Sequence, residues 1–510
     1  MPATPTIIRS TPGIKRDGTI FQGDHYVDGQ WCRFQRGYPR KMGGYRRATS
    51  QLAGVARGMH AFSENGQTYV HVGEQARVEQ VIVDNQAVAS PVVDRTPAGF
   101  VSNAAHLWQF DVLFDSVTGG QKLIAHASLN LTNQDETTNR PIYVGDVTGT
   151  GALVAAGGSA PQVSGGVVVL HPYVFAYGTD GYVAWSVPGN PNDWTSSGSG
   201  DGYVTGQKIV KGLPLRAGPG NSPSGIFWSL DSVIRATFVG GGPVFQFDTV
   251  SATSSILSSQ GVIEYDGVYY WAGVDRFLMF NGVVREVPNP LNLNWFFDNL
   301  NFAQRQKVFA MAVPRYGEIW WCFPFGNATE CTHAVIYNVR EQTWYDTVLP
   351  NAGRSGGIFV NVSAKPLMVG SSPMTATQNL WQHEAGFDEI DGISISAIRS
   401  YFETADVSLA ALPKDATNKA IRISIIEPDF VQRGNMTVRV TGRYNARAPA
   451  VPSDARTFPA IATDPSEQVV FLKEIRRELR LIFESNEIGG DYQMGQVIAH
   501  LEPADARILS

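Results

Sequence analysis

Long apolar runs, charge and cysteine are all scarce in this 510-residue chain. No apolar stretch approaches the roughly 18 residues that cross a bilayer as a helix, so no membrane span is expected. Cys32, Cys322 and Cys331 are the only cysteines. Three cannot build a disulfide framework, and so few suit a reducing compartment. Met1-Pro-Ala-Thr-Pro is not a charged segment leading into an apolar one, so no signal peptide is read there. Charged residues make up 17% and the net charge is −6. That balance argues against a general nucleic-acid binder, which needs a basic surface.

Signatures of chemistry are equally sparse. No Gly-x-Ser-x-Gly elbow occurs, and the histidines stand singly. Leu215–Gly225 is glycine-rich, but it lacks the Lys-Ser/Thr ending of a phosphate loop. Pro219 and Pro223 also remove amides that would cradle a phosphate. Cys322, Cys331 and His333 match no common zinc spacing, and Cys322 sits in an apolar Trp-Trp-Cys-Phe strand that reads as core. Asp111 with Asp115, or Asp266 with Asp275, could serve glycoside hydrolysis if two carboxyls met across a substrate. Aspartates at propeller turns are more often structural. The expectation is no catalytic residue, no metal ligand and no cofactor: a protein that is not an enzyme.

What the chain does have is 52 glycines, 29 prolines and 11% aromatics, a composition that fits all-β structure. Trp185, Trp228 and Trp271 recur at intervals of 43 residues, each in strand-like text. A period of roughly 40–45 residues is the length of one four-stranded propeller blade. Asn65-Gly66, Asp180-Gly181, Asp266-Gly267 and Asn281-Gly282 supply hairpin turns that need positive φ. The reading is a β-propeller-like domain of about six blades over 59–390, interrupted by a short helix within Asn294–Lys307. Past residue 391 the tryptophans give way to alternating text such as Met436-Thr-Val-Arg-Val-Thr-Gly. That predicts a separate antiparallel β-sandwich platform over 391–510.

Residues 1–58 read as a basic arm that must pack on something else. The first 60 residues hold ten bases against three acids, leaving +7 there and −13 over the rest. Arg33, Arg36, Arg40, Lys41, Arg46 and Arg47 are the candidate docking residues for an acidic partner surface.

The segment Gly13-Ile-Lys-Arg-Asp-Gly-Thr-Ile-Phe-Gln-Gly-Asp-His-Tyr-Val-Asp-Gly-Gln-Trp-Cys-Arg-Phe-Gln-Arg-Gly-Tyr-Pro-Arg-Lys-Met-Gly-Gly-Tyr45 resembles the start of tail structural proteins of short-tailed bacteriophages. Gln260–Trp271 with Asp275–Gly282, Leu293–Asn299 and Phe483–Tyr492 resemble the same group. The family implied is the tail nozzle or tail hub protein. The resemblance implies a structural virion protein in the viral tail, assembled in the host cytoplasm as a ring, with six copies expected. That ring would sit below the portal and adaptor, beside tail fibres or spikes. Its channel would retain duplex DNA and pass it during genome ejection without binding it specifically. The family brings no catalytic residues.

Two other readings compete. One is a carbohydrate-binding or carbohydrate-cleaving propeller serving as a receptor-binding tail component, in which exposed Trp and Tyr stack on sugars. The other is a host scaffold, which the opening segment argues against.

Overall fold

The computed structural model describes residues 3–19, 24–48, 51–84, 90–129, 137–216, 223–407, 420–444, 448–460 and 469–504. Residues 217–222 of the glycine-rich loop Leu215–Gly225 lie outside these. Seven antiparallel sheets follow one another along the chain, at 56–94, 106–155, 166–203, 209–251, 262–286, 309–348 and 356–396. Blades 1 to 6 have four strands each, while the seventh sheet has six. Every neighbouring pair shares an apolar cluster. Trp108 packs with Val78 between blades 1 and 2, and Trp228 with Trp271 between blades 4 and 5. Val70 packs with Val369 between blades 1 and 7. That last cluster closes the ring, as burying both faces of every blade requires.

The blades number seven, against an expected six or so. Blade 1 contains no tryptophan to mark it. Blade 7 takes a strand, Tyr45–Arg47, from near the start of the chain: it pairs antiparallel to Gln378–His383 and parallel to Glu389–Asp391. The 43-residue spacing is only partly structural. Trp228 and Trp271 occupy the second strands of blades 4 and 5, and their rings meet edge to face at 5.7 Å. Trp185 lies on the third strand of blade 3. Turn chemistry was the better guide. Asn65-Gly66 and Asp266-Gly267 join consecutive strands with both residues at positive φ, between 52° and 79°. Gly73 is fixed by a different constraint: a Cβ there would overlap the Trp108 ring of blade 2. The expected helical insertion is present between blades 5 and 6, as Leu293–Asn299 followed by a 3-10 turn at Phe302–Lys307.

The platform is two six-stranded sheets, and it is not separate. One sheet combines Ala420–Arg433, Val470–Arg476 and Asp491–Ala504 with Thr4–Ile8, Cys32–Gln35 and Tyr38–Lys41. The other adds Asp28–Gln30 to Ser400–Glu403, Met436–Arg443 and Glu478–Ser485. The described residues among the first 48 therefore pack on their own chain and are not a free arm. Trp31, Phe34, Met42 and Tyr45 join a single apolar cluster with Trp320 of blade 6, Trp381 of blade 7 and Phe483 of the platform. Propeller and platform thus share a core across the seam between blades 6 and 7.

A second lock holds the ring at its closure. The segment after the borrowed strand crosses to blade 1, where the Ala53 amide donates to Glu79 Oε2 at 2.9 Å. Glu74 lies beside Glu79, and both are buried. Burial, and then repulsion by Glu79, push the Glu74 carboxyl far above its ordinary 4.5, so it keeps a proton at neutral pH. The unfolded chain releases that proton near 4.5. The contribution of this group to stability is therefore full in acid and declines as pH rises from there through neutrality. Glu74→Gln mimics the protonated form. It should melt higher than the parent at mildly alkaline pH and match it in mild acid; equal melting curves at both would remove Glu74 as a titrating group.

Candidate functional site

The inner strands of blades 1, 2, 4, 5, 6 and 7 surround a chamber of about 200 Å³ on the propeller axis. Met59, Trp108, Phe110, Phe309 and Met311 are among the residues around it, but the Trp108 ring is turned into the cluster between blades 1 and 2, and Phe309 and Met311 belong to the core at the seam. Trp108 and Phe110 stack at 5.6 Å. Successive inner-strand residues alternate between the axis and the blade interior, so which side chains face the axis is set by blade registration.

Three polar side chains line the chamber. Two are occupied. Gln109 donates to the carbonyls of Gly165 (3.0 Å) and Val210 (2.9 Å) and accepts from the Tyr177 hydroxyl (2.7 Å). The same hydroxyl accepts from the Gly212 amide, so this network ties blades 2, 3 and 4. Gln260, just before blade 5, donates through Nε2 to the carbonyl of Arg57 on blade 1, across the axis. Arg57 in turn pairs with Glu330 at 2.7 Å, and Lys307 reaches the same carboxylate at 2.9 Å. These contacts tie blade 1 to the segment before blade 5 and to blade 6.

The third polar group is Lys211. Burial lowers its ammonium to about 8, with Asp111 opposing the shift. Asp111 is itself raised by burial, although the amides of Val112 and Val169 donate to it. The axis opens into a wide mouth of about 690 Å³ rimmed by Arg216, Glu264 and Arg340. Ile263, Ile358 and Phe359 line both spaces, so the mouth leads to the chamber. Glu264 and Asp266 are the carboxylates at the mouth among the described residues.

The acid pairs singled out in the sequence are turn and strand groups. Asp115 caps a turn, accepting from the amides of Val117 and Thr118 and from the Thr118 hydroxyl. Asp275 pairs with its exposed neighbour Arg276, and Asp266 occupies a hairpin turn. Cys322 and Cys331 are fully buried thiols, raised by that burial. His333 stacks on Phe325 at 4.2 Å. Among the described residues no group of three His, Cys, Asp or Glu is placed to hold a metal ion. Trp185, Trp228 and Trp271 are buried, so they offer no platform to a sugar.

The basic set divides sharply. Arg33 is wholly buried at the propeller–platform seam. Its Nε lies 2.8 Å from Glu318 of blade 6, and its Nη atoms bind Glu384, after the third strand of blade 7, at 2.5 and 2.9 Å. Its guanidinium lies 3.7 Å over the Tyr316 ring. Glu318 also accepts from Trp320 Nε1 at 2.9 Å and the Tyr345 hydroxyl at 2.7 Å. Lys41 is buried and donates to the Gly490 carbonyl at 2.7 Å. Neither is available to a partner, because each neutralises groups of its own chain. Arg40 donates to Gln35 and Arg47 pairs with Asp391 at 3.0 Å. Only Arg36 and Arg46 of the set are exposed.

No family model matches this chain, and no curated protein matches it. Among solved structures, the computationally designed Ika8 protein is similar at 12% identity and a TM-score of 0.35, over 67% of this chain and 99% of that one. An exo-beta-1,3-galactanase from Phanerochaete chrysosporium, crystallised with galactose, is similar at 11% identity and a TM-score of 0.27, over 90% of this chain and all of that one. Superpositions this loose carry no argument about activity. The seven sheets and their shared clusters establish the all-β propeller with its platform. No helix among the described residues is long and apolar enough to cross a membrane.

Proposed function

We propose that this protein is a structural component of a short phage tail, forming a nozzle or hub ring that retains packaged DNA and conducts it during ejection. The observation that carries the reading is the seam. The described residues of 13–45, a segment that resembles the opening of tail nozzle proteins, weave propeller and platform into one body around Arg33. A load-transmitting ring subunit needs that rigidity. The space on the propeller axis is only about 200 Å³, so a duplex would pass between subunits and not through one. A head-to-tail ring provides such a path. The net charge of −13 beyond residue 60 suits a wall that repels phosphate and lets DNA slide.

Arg36 and Arg46 remain as candidates for docking onto an adaptor ring or a neighbouring subunit. Arg36→Glu with Arg46→Glu should lower incorporation into tails at least about tenfold, since like charges facing each other cost several kcal/mol. Melting should change little by comparison, because both side chains are exposed and Arg46 gives up a single long hydrogen bond, 3.3 Å to Gln382. Tail assembly at the parental level would exclude this docking role. Antibody labelling of source particles tests the broader reading. Label at the tail tip or stem supports it. Label on lateral spikes, with cleavage of host surface polysaccharide, replaces it with the carbohydrate reading.

A further inference from the structure

We infer that neighbouring copies of this chain join through a basic cleft in the platform of one and the acidic outer strand of blade 3 in the next. The inference rests on the ring-forming reading and names its contact. The cleft, of about 350 Å³, lies where one platform sheet is split. Asp491–Ala504 meets Arg40 at Gln493 and Ile8 at Val497, and neither neighbouring strand covers the residues between. Ile7, Arg9, Arg36, Tyr38 and Gln496 line the cleft, and all five are exposed. Neither guanidinium has an ion pair among the described residues.

Arg36 occupies a position that does not suit it. With Gly37 it forms the two-residue turn between Cys32–Gln35 and Tyr38–Lys41, at φ of 55° and 82°. That left-handed backbone favours Asn, Asp or Gly, and the equivalent turns elsewhere use Asn65 and Asp266. An arginine kept there against the backbone preference points to a task for its side chain. The Arg36 amide donates to Glu341 of blade 6 at 3.0 Å, which fixes the turn against the propeller.

Blade 3 offers the complement. No lysine or arginine stands between Arg140 and Lys208, and the blade carries Asp180, Asp193 and Asp201. Its outermost strand, Gly200–Tyr203, has no further strand beside it among the described residues. Asp201 is exposed and has no ion pair among those residues. Tyr203 is 72% exposed, with its ring 5.4 Å from that of Tyr182. Such a carboxylate can meet a guanidinium directly, while the ring beside it gains from burial and from a second cation over its face. In a ring of seven, blade 3 lies on the far side from the seam between blades 6 and 7. The two surfaces therefore cannot meet within one chain, only between copies, head to tail.

The test uses the full chain. A mixture of Tyr38→Cys and Gly202→Cys proteins leaves Arg9, Arg36, Asp201 and Tyr203 in place, and a Cβ at Gly202 meets nothing within 4 Å. The three native thiols are buried, so mild oxidation should join the introduced pair. Peptide mapping should find that bridge in at least about tenfold excess over a control mixture of Tyr38→Cys with Val154→Cys, because docking raises the effective concentration of the two thiols. Val154 is 63% exposed on the outer strand of blade 2. Arg36→Asn suits the turn, so it should melt no lower than the parent while weakening self-association at least about tenfold by sedimentation. Arg36→Asp and Asp201→Arg should each weaken association, and the two together should restore it. Equal bridging in both mixtures overturns the proposal. So does association unmoved by Arg36→Asn, or a chain still monomeric at about 1 mM, where even a millimolar contact is half formed. The nozzle reading is decided separately by the particle label: a missing contact with label at the tail tip overturns this interface alone.

Discussion

Replacing Arg33 with alanine is expected to destabilise the folded protein by about 3–5 kcal/mol, the cost of leaving a buried carboxylate without its counter-charge. The environment makes this loss severe. Arg33 is fully buried between Glu318 and Glu384, and no solvent can replace the guanidinium. Glu318 keeps its bonds from Trp320 and Tyr345, but both donors are neutral. Burial alone would disfavour the charged guanidinium; the two carboxylates outweigh that and hold it protonated. Urea unfolding of Arg33→Ala should therefore show a much lower midpoint. Combining it with Glu318→Gln and Glu384→Gln should recover part of the loss, since the stranded charges are then gone. An Arg33→Ala midpoint equal to the parent's would mean the seam does not depend on this network.

Deleting residues 1–48 should have the larger effect: loss of cooperative folding altogether. The segment supplies strands to both platform sheets and to blade 7. It buries Ile8, Ile14, Tyr26, Trp31, Phe34, Met42 and Tyr45. At about 1.5–3 kcal/mol for each fully buried large side chain, removal forfeits more than 10 kcal/mol, comparable to the entire stability of an ordinary domain, roughly 5–15 kcal/mol. The truncated chain should lose its near-ultraviolet circular dichroism and become protease-sensitive throughout. A peptide spanning 1–48, added during refolding, should restore part of the signal. A truncated protein with a sharp, unshifted melting transition would show the segment to be dispensable.

These two expectations mark where sequence reasoning stopped. Local chemistry was readable: Asn65-Gly66 and Asp266-Gly267 form the turns their φ preference requires. The alternating residues of Met436–Arg443 do form a strand with alternating burial over most of its length. Distant pairing was not. Arg33 counted as one more positive charge because its two carboxylates lie 285 and 351 residues away. Tyr45–Arg47 is three residues long, too short for any periodicity, and its partners come from the last blade, at the other end of the propeller sequence. The tryptophan spacing misled in a subtler way. Trp185 and Trp228 lie on different strands of their blades, so an equal interval did not mean an equivalent position.

The strand borrowed by blade 7 also sets a schedule for biosynthesis. Residues 45–47 leave the ribosome early, while Gln378–His383 and Glu389–Asp391 emerge only after six blades have been made. The ring cannot shut until then, and the platform, which needs residues up to 504, must wait longer still. Pairings of such long range are slow to form, because a large loop must close before any contact rewards it. Half-made chains therefore carry unpaired strand edges and exposed aromatics, the features that draw nascent chains into aggregates or onto chaperones. The same topology provides a checkpoint: a chain that stops short of the platform cannot complete the seam that holds Arg33.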